Sequence, residues 1–273
     1  MADLKQPETP FGHGRIKNPR LRRGIFILPS LFTIGNMLCG YYAVVASLHG
    51  TWQDFDHAAR AIGFAILFDS LDGRVARMTG TNTEFGVQFD SLADVVSFGI
   101  APAVMAYAWG VRSLPGQGTF RVEQVGHLGW ILCLAFLVSC AWRLARFNVQ
   151  GMEPGSSKNF VGMPTPAAAG VIAALVHGLK HPLTDWRWSV AWFVMTAALA
   201  GLMTSTIRYS SFKDLPWTRK QPSLAIVLLL LAIAVVWMYS EYALVILACT
   251  YALAGVALHT VRFVRHRLAS RTA

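Results

Sequence analysis

Charge is what this chain has least of. Asp, Glu, Lys and Arg make up 14% of its 273 residues, where an ordinary soluble domain carries roughly 25%. So thin a polar cover excludes a soluble enzyme, and the 54% hydrophobic content excludes a disordered chain. Cysteine is also sparse. Cys39, Cys133, Cys140 and Cys249 each lie inside an apolar run, and no two form a Cys-x-x-Cys pair. That excludes a secreted disulfide scaffold and leaves them as small buried hydrophobes. Acidic residues are scarcer than basic ones, 14 against 24, for a net charge of +10.

What the chain does have is long apolar runs, near residues 24–49, 58–73, 91–111, 127–142, 161–179, 188–207, 222–240 and 242–261. A helix needs about 20 residues to cross the roughly 30 Å hydrocarbon core. Lipid leaves backbone polar groups no partner but each other, and the alternation of a barrel is absent. The expectation is an all-α integral membrane protein with about eight transmembrane helices. The 26 residues of the first run exceed a signal-peptide core of about 7–15, so it reads as a retained span.

The basic residues give the sidedness. Nineteen of the 24 Lys and Arg fall before the first span, in alternate loops and in the tail; Arg60, Arg112, Arg121, Lys180 and Arg187 fall on the other side. The positive-inside rule then places both termini in the cytoplasm. Residues 1–23 read as a basic cytoplasmic segment, 24–261 as the membrane domain and 262–273 as a basic cytoplasmic tail. The net charge is mainly a topology signal, with attraction to anionic membrane lipids as a second effect. No nucleic-acid partner is needed to explain it.

Four of the 14 acidic residues, Asp69, Asp72, Asp90 and Asp94, sit at the ends of two adjacent spans. A carboxylate inside a membrane costs about 2.5–3.5 kcal/mol on the insertion scale. Asp69 and Asp72 are i, i+3 and share a helix face with Gly73 and Ala76; Asp90 and Asp94 are i, i+4, with Gly86 one turn earlier. The second span runs inward and the third outward, so the pairs meet at cytoplasmic depth. Four carboxylates there would repel one another unless cations lie between them. Oxygen-only ligands suit Mg²⁺, Mn²⁺ or Ca²⁺, and two such ions a few ångströms apart suit phosphoryl displacement. Two other readings stay open: interhelical hydrogen bonds and salt bridges to Arg74 and Arg77, or a cation-permeation site. Thr81-Asn-Thr-Glu84 reads as a capping box that starts the third helix.

The pattern D-x2-D-G-x2-A-R-x8-G-x3-D-x3-D, complete from Asp69 to Asp94, resembles the signature of the CDP-alcohol phosphotransferase family. The resemblance implies a helical membrane enzyme, a homodimer, that transfers the phosphatidyl-type group of a CDP-linked lipid to an alcohol and releases CMP. It implies that Asp69, Asp72, Asp90 and Asp94 hold two divalent ions, Mg²⁺ or Mn²⁺, and that Asp94 takes the acceptor's hydroxyl proton. It also implies that Gly73, Arg77 and Thr83 touch the CDP moiety and that Gly86 permits close packing there.

Three further stretches resemble the serine-using branch: Leu28–Ala43 with Thr33, Asn36 and Gly40, Cys140–Asn148, and Phe160–Ala169 with Pro164 and Pro166. They imply CDP-diacylglycerol and L-serine as substrates, at the cytoplasmic face of the cell (inner) membrane. Siblings that use inositol phosphate, glycerol phosphate or choline would carry the same metal site. Asn36 is open to a second reading as an interhelical hydrogen bonder. Arg143 and Arg146, i, i+3 at the inner end of the fourth span, suit serine's carboxylate or the lipid phosphate, with Asn148 beside them. Their alternative is a pair of snorkelling anchors.

Overall fold

The computed structural model describes residues 19–79, 83–151, 162–205, 240–252 and 254; at 19–29, 76, 77, 79, 150 and 151 it describes the backbone alone. Among these residues every regular element is a helix. They are α1 (Pro19–His49), α2 (Trp52–Thr79), α3 (Glu84–Asp94), a π-helical segment (Val95–Ile100), α4 (Ala101–Val111), α5 (Phe120–Gly151), α6 (Thr165–Leu179), α7 (Trp186–Thr204) and α8 (Ser240–Ala252).

Three stretches are long and apolar enough to cross a membrane: Ser30–His49, the continuous rod Glu84–Val111, and Phe120–Val149. Helices α6 and α8 are shorter apolar helices. The expected runs at 58–73, 91–111 and 127–142 lie inside longer helices. Charge at both ends of α2 hides its length, because its uninterrupted apolar centre runs only from Ala61 to Phe68. The expected span at 222–240 falls outside the described residues but for its last one, the one at 242–261 is described chiefly as α8, and both terminal segments fall almost wholly outside.

Local chemistry sets the turns. Gly50, at φ +82°, ends α1, and a Cβ there would collide with the Arg112 side chain. Arg112 in turn donates to the Leu48 carbonyl, one of the helix's terminal acceptors. Directly after Gly50, Thr51 and Asp54 cap α2 reciprocally: the Asp54 amide donates to Thr51 Oγ1 at 3.2 Å and the Thr51 amide to Asp54 Oδ2 at 3.2 Å. Helix α3 begins at Glu84 with Thr83 as its cap, whose Oγ1 accepts from the Gly86 amide at 3.0 Å. The expected start at Thr81 is therefore two residues early. Pro164 is the cap of α6 and Pro166 its second residue, both at positions where a missing N–H leaves no gap in the hydrogen-bond ladder.

In lipid, helices associate by close packing and hydrogen bonds more than by expulsion of water. Small side chains accordingly fill the α1–α2–α6 contacts: Ala43, Ala46, Ala58, Ala65, Ala168 and Ala169 are all buried. Helices α4, α5 and α7 meet around Phe193, against which Gly110 and Gly129 both lie too close to accept a Cβ. Trp192 ties α7 to α4 by donating from Nε1 to the Ala106 carbonyl at 2.9 Å.

A polar clamp holds α2, α6 and α8 together at the far end of α2 from its aspartate pair. His177 of α6, 6% exposed, has Nδ1 against the Asp56 carboxylate and Nε2 3.0 Å from Ser240 Oγ. Arg60 donates to the other Asp56 oxygen at 2.7 Å. Beside it, Lys180 Nζ donates to Glu241 Oε1 at 2.6 Å, which holds the ammonium above its ordinary pKa.

Candidate active site

The opposite end of α2 carries the aspartates. Asp69 of α2 and Asp90 and Asp94 of α3 each bring a carboxylate oxygen within 4.8 Å of the others. Asp72 stands outside this group of three. It is buried and accepts a hydrogen bond from Thr33 Oγ1 of α1. Among the described side chains no ion pair joins any of the four to Lys or Arg. Arg74 is exposed, and the Arg77 side chain lies outside the description. Among the described side chains, salt bridges do not account for the cluster.

Asp90 keeps Oδ1 buried without a hydrogen-bond partner. An orphaned carboxylate oxygen in a low-dielectric setting is expensive. Three carboxylates converging on one point, one of them unsatisfied and all of them oxygen donors, have the chemistry of a site for a hard divalent cation. The residues fit such an ion.

Helix α1 supplies the cluster's neutral partners. Asn36, with no exposed surface, donates from Nδ2 to Asp94 Oδ1 at 3.0 Å. Its hydrogen bond to a neighbouring helix is the second reading of the sequence, now with a named partner. Ser97, in the π segment, donates to the Asn36 carbonyl at 2.8 Å. The two helices pass so closely there that a Cβ on Gly40 would lie 2.7 Å from Ser97 Cα. Neither the π segment nor the pairing of Thr33 with Asp72 carries a local sequence signal.

The remaining site residues divide. Thr83 and Gly86 form the α3 cap, and among the described residues the one side-chain atom within reach of a Cβ on Gly86 is the capping Thr83 Oγ1. Gly73 is exposed on α2. Arg143 of α5 is half-buried, has Nε buried without a partner, and feels the charge of Asp94. Arg146, a turn further on, is exposed. Asn148 donates from Nδ2 to Ser91 Oγ at 2.9 Å, which ties the end of α5 to α3 beside Asp90. The arrangement can hold a cation, offer a fixed carboxylate, and present a guanidinium from a third helix.

The sequence is similar to those of known proteins. The chain is 30% identical over 234 residues to a CDP-diacylglycerol–serine O-phosphatidyltransferase of Helicobacter pylori, covering 85% of this chain and 90% of that one. A Saccharomyces cerevisiae protein of the same description is 36% identical over 162 residues, 55% of this chain and 54% of that one. An archaetidylserine synthase of Methanothermobacter thermautotrophicus is 35% identical over 184 residues, 67% of this chain and 69% of that one. Residues 26–204, which hold all four aspartates and both arginines, match the family described as CDP-alcohol phosphatidyltransferase, and the chain belongs to that family of membrane enzymes.

Proposed function

We propose that this chain transfers the phosphatidyl group of CDP-diacylglycerol to L-serine, giving phosphatidylserine and CMP at the cytoplasmic face of the inner membrane. The observation that carries the reading is the convergence of Asp69, Asp90 and Asp94 within 4.8 Å, in a chain matched over most of its length by a serine-using relative.

Asp69, Asp72, Asp90 and Asp94 would hold two divalent ions, Mg²⁺ or Mn²⁺. When bound, such ions supply positive charge at the pyrophosphate and at the leaving CMP. Gly73, Arg77 and Thr83 would touch the CDP moiety, where a guanidinium can grip phosphate oxygens by charge-assisted hydrogen bonds, and Gly86 would permit close packing there. Asp94 accepts the proton of the serine hydroxyl, since an alcohol is a poor nucleophile until that proton leaves. The serine oxygen then forms its bond to the phosphatidyl phosphorus as the bond from phosphorus to the CMP oxygen breaks. Arg143, with its unpartnered buried Nε, takes the serine carboxylate. Arg146 adds charge from the exposed side, and Asn148 keeps α5 docked beside Asp90.

CMP release from CDP-diacylglycerol, measured against serine, glycerol phosphate, inositol phosphate and choline, tests the reading. Serine should support the fastest turnover. A larger kcat/KM for another alcohol would reassign the acceptor while leaving the family intact. The homodimer belongs to the same proposal, and a monomeric mass in active detergent-solubilised enzyme would remove it.

A further inference from the structure

We propose that Asn36 is a positioning residue for Asp94, so that α1 sets the orientation of the base on α3. The inference rests on the reading of Asp94 as the group that takes the acceptor's proton.

The geometry is specific to that task. Asn36 has no exposed surface, so solvent does not compete for its amide. Nδ2 donates to one Asp94 oxygen at 3.0 Å, and the opposite amide orientation would set two acceptors face to face. One carboxylate oxygen is thereby occupied by a neutral donor and the plane of the group is fixed. The other oxygen is left for cation and acceptor. A Lys or Arg in the same place would neutralise the charge that the base needs.

The support continues behind Asn36. Ser97 holds the Asn36 main chain through its carbonyl at 2.8 Å, and Ser97 sits in the π segment that begins directly after Asp94. Gly40, a turn further along α1, permits that contact, because any Cβ would meet Ser97. Asp94, Ser97 and Asn36 therefore form a closed loop of covalent chain and hydrogen bonds. The amide also keeps Oδ1 buried with no partner. A residue that merely filled the space between α1 and α3 would carry no such cost, and alanine or leucine would pack there without one. The orphaned oxygen is the mark of an amide retained for its donor.

The experiment compares Asn36→Asp, which is isosteric and replaces the donor by an acceptor, with Asn36→Ala and Asp94→Asn. All are purified in detergent with Mn²⁺. Three quantities are measured: melting temperature, affinity for CDP-diacylglycerol in the absence of serine, and kcat and KM for serine. Positioning predicts that both Asn36 variants bind CDP-diacylglycerol within about twofold of wild type and keep the serine KM within a few-fold. Their kcat should fall by about ten- to hundredfold, the effect expected on losing a hydrogen bond to a charged group. Asn36→Asp should fall at least as far as Asn36→Ala, although it leaves no cavity.

Wild-type kcat in Asn36→Asp, alongside an inactive Asp94→Asn, would overturn this inference and leave the proposed function standing. Full turnover by Asp94→Asn would overturn the assignment of the base, and this inference with it. Parallel loss of melting temperature, lipid affinity and kcat in both Asn36 variants would make Asn36 a packing residue and refute the positioning role.

Discussion

Arg143→Lys is the substitution that most directly tests how the acceptor is recognised. Arg143 lies half-buried on α5, with Nε shielded from solvent and unpartnered, close enough to Asp94 to feel its charge. Lysine keeps the charge and most of the stem but removes the Nε donor and the planar fork that grips a carboxylate with two bonds. Loss of one charge-assisted hydrogen bond amounts to about 1.5–3 kcal/mol. Part of that is recovered by the remaining Nζ contact, which leaves about 1.4 kcal/mol, or about tenfold, in the KM for serine. The KM for CDP-diacylglycerol should hardly move. Arg146→Lys should cost less, since Arg146 is exposed and an exposed charge is screened by water. The assay is CMP release with each substrate varied in turn. A rise in the lipid KM with serine's unchanged would show that Arg143 grips phosphate. No change in either would reduce both arginines to membrane anchors.

Three other outcomes are expected. Activity should vanish in excess EDTA and return with Mg²⁺ or Mn²⁺, and each of Asp69→Asn, Asp72→Asn and Asp90→Asn should lower turnover at least a hundredfold; sustained turnover in EDTA would refute the cation site. Asp94→Asn should abolish CMP release while CDP-diacylglycerol binding, followed by titration in detergent, largely survives; equal loss of both would make Asp94 chiefly a metal ligand. His177→Leu should leave the initial rate at low temperature unchanged but speed thermal inactivation, because it removes the contacts to Asp56 and Ser240, together worth about 2–4 kcal/mol; a slower initial rate with unaltered heat tolerance would contradict the clamp.

The aspartate cluster was legible because its determinants are local. Spacings of three and four put each pair on one face of a helix, and antiparallel neighbours put the faces opposite each other. Helix length was less legible. Hydropathy reports the part of a helix that sits in hydrocarbon, whereas α5 runs from Phe120 to Gly151 and α2 starts six residues ahead of its apolar run. The Thr51-x-x-Asp54 cap was available as a signal for that earlier start; the Thr81-x-x-Glu84 match was a false one, since Thr83 caps α3 instead. The clamp was not legible at all. Asp56 and His177 are separated by 121 positions, and nothing local marks either as the other's partner. The roles of the arginines were only half visible, because periodicity puts Arg143 and Arg146 on one face but does not say which of them is buried.

The π segment has one more consequence, for the register of the whole rod. Hydrogen bonds from i to i+5 accommodate one residue more than an α-helix of the same rise would hold. Each residue of an α-helix turns the chain by about 100°, so Val95–Ile100 acts as a fixed rotational offset between two halves of a single rod. Below it, α3 aims Asp90 and Asp94 at α2; above it, α4 aims Met105 and Trp109 into the core. Deleting one residue between 95 and 100 would let the rod relax to a plain α-helix with both halves facing as before, whereas turning the segment α-helical at unchanged length would swing one half by about 100°. The core side chains are many and the aspartates few, so the lower half would be the one to give way. Substitutions that turn this stretch α-helical at unchanged length should therefore be tolerated by the fold far better than by the chemistry, which makes it the natural place to separate the two.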